Sequence, residues 1–147
     1  MPSPTIYGIR TITEQSVLAW FQANAADMLP GVQIHAGQTD EIRSVPIIIL
    51  HAETAQAAQE LGAKPLGNFE LTLKIYVYSS ADDSTIAQHR ERVENVQAIM
   101  QDVEGLSAAW TTGSLYAAWI VSDDEGVSDR RFGNVLSYSV FAVYPPA

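Results

Sequence analysis

Phe69-Glu70-Leu71-Thr72-Leu73-Lys74-Ile75-Tyr76-Val77-Tyr78 alternates without a break. Phe69, Leu71, Leu73, Ile75 and Val77 fall on one side of an extended chain, and Glu70, Thr72, Lys74, Tyr76 and Tyr78 on the other. This pattern predicts a strand with one face in a core, long enough to lie centrally in its sheet. Ser79-Ser80-Ala81-Asp82-Asp83-Ser84 then reads as a turn whose side chains suit the free N–H groups and positive dipole of a helix start. From Ser84 to Val103, Ile86, His89, Val93, Val96, Met100 and Val103 recur every three or four positions. That is one face of an amphipathic helix packed on the sheet, with Gly105 as its expected stop.

Upstream, the first residues carry two prolines and a glycine, so residues 1–11 read as an extended lead-in. Thr11 and Glu14 fit a capping box, and Val17, Leu18, Phe21 and Met28 predict a helix from Glu14 to Met28. Val32–Ala36 is a weak strand candidate. Val45–Leu50 is a β-branched apolar run expected to be covered on both faces, with Pro46 near its start or at an edge. Thr54–Leu61, rich in Ala and Gln, fits either a short helix or a mobile loop. Downstream, Leu106–Gly113 is a connector holding Trp110. Ser114–Val121 and Phe132–Tyr144 are expected to form a hairpin around a long acidic loop, 122–129. The expected fold is α+β in two layers: a mainly antiparallel sheet with a long helix and the N-terminal helix packed on it. No repeat or linker divides the chain, so residues 1–147 are expected to form a single domain.

Composition narrows the function. The chain has 147 residues, 47% hydrophobic and 17% charged, with 8 Lys and Arg against 17 Asp and Glu, a net charge of −9. The apolar share is too high for a disordered chain, and no run approaches the roughly 20 residues of a membrane span. Met-Pro-Ser-Pro has no basic segment followed by an apolar one, so no secretory signal is expected. Gripping nucleic acid through phosphates needs clustered cations, and here only Arg90/Arg92 and Arg130/Arg131 lie close together. Cysteine is absent, which excludes disulfides, thiol catalysis and cysteine zinc sites.

Candidate chemistry is sparse. Asp123, Asp124 and Glu125 are adjacent rather than alternating, unlike a calcium loop, and fit a solvated hairpin tip. Asp82 and Asp83 are explained by a helix cap. His35, His51 and His89 never stand three or four apart, so they form no helical metal pair. His51 with Glu53, supported by Asp82 or Asp83, is the one arrangement that suggests a hydrolase or lyase. A pocket lined by Trp110 and Trp119 would instead suggest a ligand- or peptide-binding module. The Gly-x-Ser-x-Gly, P-loop and dinucleotide motifs are all missing. Neither a catalytic role nor a cofactor or metal is expected.

One resemblance bears on function. The N-terminal helix, the apolar strand Val45–Leu50 and a variable stretch come first. The long strand Phe69–Tyr78 then runs through Ala81-Asp82-Asp83 into the helix at Ile86-Ala87-Gln88-His89-Arg90, and a hairpin closes on Tyr138–Tyr144. This order resembles the tail terminator and tail-completion proteins of tailed bacteriophages. The resemblance implies a structural virion protein, made in the host cytoplasm and located in the tail or neck. It would form a homo-hexameric ring that ends the tail tube and meets the head-side neck or connector protein. DNA would pass through without specific binding, and no membrane would be involved. Another neck component, a head-completion or connector protein, is the alternative. By position, ring contacts would come from Gln56, Gln59, Glu60 and Lys64, and from Asp123, Asp124, Glu125, Asp129, Arg130 and Arg131. Tyr76 and Tyr78, on the polar face of the long strand, are further interface candidates.

Overall fold

In the computed structural model, residues 6–37, 45–57, 68–110, 113–128 and 130–143 are described. The order is α1 (Ile6–Met28), β1 (Gln33–Ala36), β2 (Ile47–Ala57), β3 (Asn68–Ser80), α2 (Ile86–Gln101), α3 (Val103–Ala108), β4 (Ser114–Ser128) and β5 (Arg131–Val143). The five strands form one sheet in the order β1-β2-β3-β5-β4, antiparallel except for the β1–β2 pair. The expected α+β architecture is the observed one.

β3 is central, between β2 and β5, and its alternation is realised residue by residue. Leu71, Leu73, Ile75 and Val77 are buried, while the residues between them are half-buried. They meet Ile48, Leu50 and Ala52 of β2 and Leu136, Tyr138, Val140 and Ala142 of β5. The helices close the core with Val17 and Phe21 from α1, Val93, Val96, Ile99 and Met100 from α2, and Leu106 from α3. Apolar area removed from water at about 25 cal/mol per Å² makes this cluster the main stabilising term.

Side chains complete the backbone where helices and strands end. The last four carbonyls of a helix have no partner within it. Trp20 Nε1 of α1 donates to the Ile99 carbonyl near the end of α2 (2.9 Å), and Asn95 Nδ2 of α2 donates to the Met28 carbonyl at the end of α1 (3.0 Å). Each helix thus caps the other. β1 ends at Ala36, so beyond Leu50 no described strand pairs with β2 on that side. There the Ala52 N–H donates to Glu14 Oε2 at 2.8 Å.

Several sequence expectations are corrected. Residues 6–11 are helical, not part of an extended lead-in, and α1 runs without a break past Thr11. Glu14 serves the β2 edge instead of a capping box. Thr54–Ala57 continue β2 by pairing with Phe69–Thr72, where helix or loop was expected. The α2 cap is Thr85, in a capping box with Gln88, and Asp82 and Asp83 are exposed turn residues before it. Gly105 does not stop the helix. Asp102 interrupts it and restarts α3 by accepting the Gly105 N–H at 3.0 Å.

The largest correction is the acidic loop. Residues 122–128 are strand, and β4 pairs with β5 to Ser128↔Arg131, so the hairpin closes in a tight turn around Arg130. Arg130 takes the left-handed conformation that a two-residue hairpin connection requires (φ 59°), and its carbonyl accepts the Ala81 N–H at 2.8 Å. Two bulges in β4, at Tyr116 and at Val121, shift the side-chain parity. That shift removes the alternation by which the strand would have been read.

Candidate functional site

The two faces of the β4–β5 hairpin have different chemistry. On the helix side, His89 of α2 is fully buried, with its Nδ1 2.8 Å from Ser79 Oγ and its Nε2 2.7 Å from Asn134 Oδ1. Asn134 Nδ2 donates to Asp123 Oδ1 (2.6 Å), and Gln97 Nε2 donates to Asp123 Oδ2 (3.0 Å). At the other end, Arg92 Nη1 donates to Ser79 Oγ (2.9 Å) and to Ser84 Oγ (3.0 Å). A carboxylate can only accept, so Asn134 Nδ2 donates to Asp123 and Asn134 Oδ1 accepts from Nε2–H. In the neutral ring Nδ1 then accepts from the Ser79 hydroxyl. The Phe132 ring lies beside the imidazole, with centroids 5.7 Å apart.

Further along the same face, Arg90 grips Glu125 with two bonds of 3.0 and 2.9 Å. This pairing holds the Glu125 carboxyl below the usual carboxylate range, mainly through the hydrogen bond. The carboxylates of Asp123 and Glu125 are therefore engaged within the chain. Tyr138, buried near Asp123, has its phenol pushed up to about 12, first by desolvation and then by that carboxylate. In the unfolded chain the same phenol ionises near 10. Between these values the unfolded state holds fewer protons, so stability falls as pH rises from 10 to 12. We expect urea titrations to lose about 2 kcal/mol across that interval. Tyr138→Phe should flatten the slope, whereas an unchanged slope would mean that Tyr138 is not its source.

On the opposite face, no described helix covers β3, β5 and β4. Near the hairpin tip, Tyr78, Asp124, Gly126, Val127, Arg131, Gly133 and Val135 border an open notch of about 510 Å³. Its floor exists because two glycines, Gly126 and Gly133, face each other in register. A Cβ at Gly133 would press on the Tyr78 ring at 3.1 Å, so Tyr78 lies over that glycine. At Gly126 a Cβ would meet nothing within 4 Å. Tyr76 stacks beside Tyr78, with centroids 6.3 Å apart. Burial, then the neighbouring Tyr76, raises the Tyr78 phenol, partly offset by Arg131. The notch therefore offers an aromatic wall with the Asp124 carboxylate and the Arg131 guanidinium, and Glu125, held by Arg90, also borders it.

Of the interface candidates, Tyr78, Asp124, Glu125 and Arg131 meet at this notch, with Tyr76 stacked on Tyr78 and Arg130 next to Arg131 in sequence. Gln56 lies far along the sheet, bonded to Glu70 at 3.3 Å. Gln59, Glu60, Lys64 and Asp129 lie outside the described residues. The hydrolase arrangement does not assemble. Glu53 pairs with Lys74 (3.7 Å), and His51 lies 3.5 Å from Glu14. His51 is opposite Lys74 in the ladder, six residues and about 20 Å from the strand end that leads to Asp82. Trp110 sits in the core, while Trp119 stacks on Phe141 (5.1 Å) and is half exposed, so they line no common pocket wall. Among the described residues no three His, Asp or Glu side chains group closely enough to hold a metal ion, and no helix is long and apolar enough to cross a membrane.

The His89 network is the feature that sequence reasoning missed. Its signal was present: Asn134 occupies a core-facing position two residues before Leu136, and His89 stands on the apolar seam of α2. Two polar residues at core positions predict each other, because a buried polar group without a partner costs about 1–3 kcal/mol.

No protein family matches the chain, and no curated protein sequence does. A chain in the structure of the virion of a native gene transfer agent (GTA) particle superposes with a TM-score of 0.61. The likeness is one of fold. It extends over 86% of this chain and 93% of that one, at 14% sequence identity.

Proposed function

We propose that this protein is a structural component of a phage-like virion. Within it, we assign the chain the role of a tail terminator. Six copies close a ring on the head-proximal end of the tail tube, and the ring's other side meets a head-side neck protein. The observation that carries this reading is the likeness to a GTA virion chain over nearly the whole length of both chains. The net charge of −9 supports it, because a lumen that passes DNA must not hold phosphates. The subunit, made in the host cytoplasm, acts by assembly and not by turnover.

Contacts between copies are assigned to the uncovered sheet face at the hairpin tip. Tyr76, Tyr78, Arg130 and Arg131 supply there the tyrosine and arginine enriched at interface centres, and Asp124 beside Arg131 adds a charge of the opposite sign. Native mass spectrometry with negative-stain imaging should show closed rings of about 96 kDa, six times the 16.0 kDa chain. The rings should also cap added tail tubes. A stable dimer at every concentration, with no binding to tubes, would overturn the reading, and rings that ignore tubes but bind connectors would point to another neck component. Gly126→Leu tests the surface. Its Cβ meets nothing within 4 Å and it removes a glycine from a strand, so stability should hold or rise by about 0.5 kcal/mol. Ring assembly should nevertheless weaken by about tenfold.

A further inference from the structure

β4 is an edge strand, 15 residues long, and it carries every large apolar side chain that is markedly exposed among the described residues. Tyr116 and Val121, the two bulged residues, are 67% and 62% exposed, and Ile120 is 43% exposed. An open edge presents unpaired N–H and C=O groups, and natural proteins blunt it with lysine or other charges, proline, bulges or a cover. β4 has two bulges and the carboxylates of Asp123, Asp124 and Glu125 but neither lysine nor proline, and among the described residues no strand pairs with its outer edge. Beside the edge, on the helix side, two adjoining grooves run between β4 and α2. The first, about 360 Å³, is lined by Met100, Val103, Ala118, Ile120 and Tyr138 and is mainly apolar. The second, about 310 Å³, is lined by Glu94, Gln97, Asp123 and Glu125, with Arg90 already held by Glu125. Glu94 and Gln97 border both.

We propose that β4 accepts an added strand: an extended segment of a different polypeptide, apolar at alternate positions along one half and basic along the other. Its backbone would pair with the free edge, and its apolar side chains would enter the groove at Ala118 and Ile120. Its Lys or Arg side chains would lie over Glu94, beside the carboxylates of Asp123 and Glu125 that are already bonded within the chain. Main-chain bonds would supply affinity and the two grooves specificity, as in other strand-addition complexes. Charge complementarity argues for a different polypeptide over a second copy. This chain carries net charge −9, and Arg90, Arg92 and Lys74 are already engaged within it. The apolar groove at Ala118 and Ile120 shares no lining residue with the notch assigned above to ring contacts, whereas Glu125 borders both the notch and the acidic groove.

Three fluorescein-labelled, end-blocked peptides test this by anisotropy: KTKTVTV, its reverse VTVTKTK, and ETETVTV. One basic peptide should bind saturably, KTKTVTV if the added strand is antiparallel to β4 and VTVTKTK if parallel. Binding should weaken with salt, and ETETVTV should bind at least about tenfold more weakly. Glu94→Lys, an exposed change on α2, should weaken the basic peptide by about tenfold, and Ile120→Lys should abolish binding. Hydrogen exchange should slow along Ala117–Glu125 when the peptide is bound. The proposal fails if no peptide binds at 1 mM, if the acidic peptide binds as well as the basic ones, or if Ile120→Lys binds normally. It also fails if the protein forms a dimer that protects this edge and is lost in Ile120→Lys, since the occupant would then be a second copy.

Discussion

Replacing Gly105 by alanine should destabilise the protein by about 2 kcal/mol, although alanine is the better helix former by about 1 kcal/mol. The reason is the Trp20 ring. A Cβ at position 105 would overlap Cη2 and Cζ2 of that indole and would lie 2.9 Å from the Asp102 carboxylate that caps α3. Trp20 cannot retreat freely, because its Nε1–H is committed to the Ile99 carbonyl. Moving the ring would therefore break a helix cap and open the seam between α1 and α3 together. Urea unfolding of Gly105→Ala measures the loss. In a Trp20→Leu background, which removes the obstructing ring, the same substitution should cost less by at least about 1 kcal/mol. Full additivity of the two changes, or a Gly105→Ala variant as stable as the parent, would show that the ring does not rest on this glycine.

Gly105 also shows where the sequence was legible and where it was not. A glycine after an amphipathic run reads as a stop, and nothing local reveals that it exists to receive a side chain 85 positions earlier. β3 could be read because its alternation depends only on neighbours two apart, and its central place follows from its length. α2 was legible for the same reason, through its seam of Val93, Val96 and Met100. β4 was not, because both cues failed together. Asp123, Asp124 and Glu125 are poor strand formers, and the bulges at Tyr116 and Val121 reverse the parity of the pattern. What makes Ser122–Ser128 a strand is long-range: thirteen residues of β5 to pair with, and carboxylate partners on α2 and β5.

The site was legible in part. Tyr76, Tyr78, Asp124 and Arg131 were identified as individual interface candidates, but the notch at which Tyr78, Asp124 and Arg131 meet depends on two glycines coming into register. Register is set by the tight turn at Arg130, which the sequence reading replaced with a loop. Gln56 and Arg131, grouped there by sequence position, are separated by most of the sheet. The enzyme reading failed by geometry: His51 and Glu53 each face a partner of their own, and the strand length separates them from Asp82.

His89→Leu should cost about 3 kcal/mol, more than any surface substitution here, even though leucine suits a core. The imidazole is fully buried and joins Ser79 on β3 to Asn134 on β5. Leucine would leave the Ser79 hydroxyl and the Asn134 carbonyl oxygen without that partner inside a closed space, and each such loss costs about 1–3 kcal/mol. Ser79→Ala, which removes one link and leaves the Nε2 side intact, should cost about 1 kcal/mol. The direction of the chain gives a sharper check than the size of the loss. With the Asp123 carboxylate able only to accept, the proton of the neutral ring must sit on Nε2, so nitrogen-15 NMR should find a slowly exchanging Nε2–H and an unprotonated Nδ1. The reverse tautomer would break the proposed order of donors at both Ser79 and Asn134. The network also fixes the hairpin against α2, since Asn134 on β5 bonds the diagonally placed Asp123 on β4. Asp124, immediately after Asp123, points to the other face and borders the notch. Loosening His89 should therefore release the outer surface as well, and His89→Leu should lose ring assembly at temperatures where α2 and the β2–β3 core are still folded.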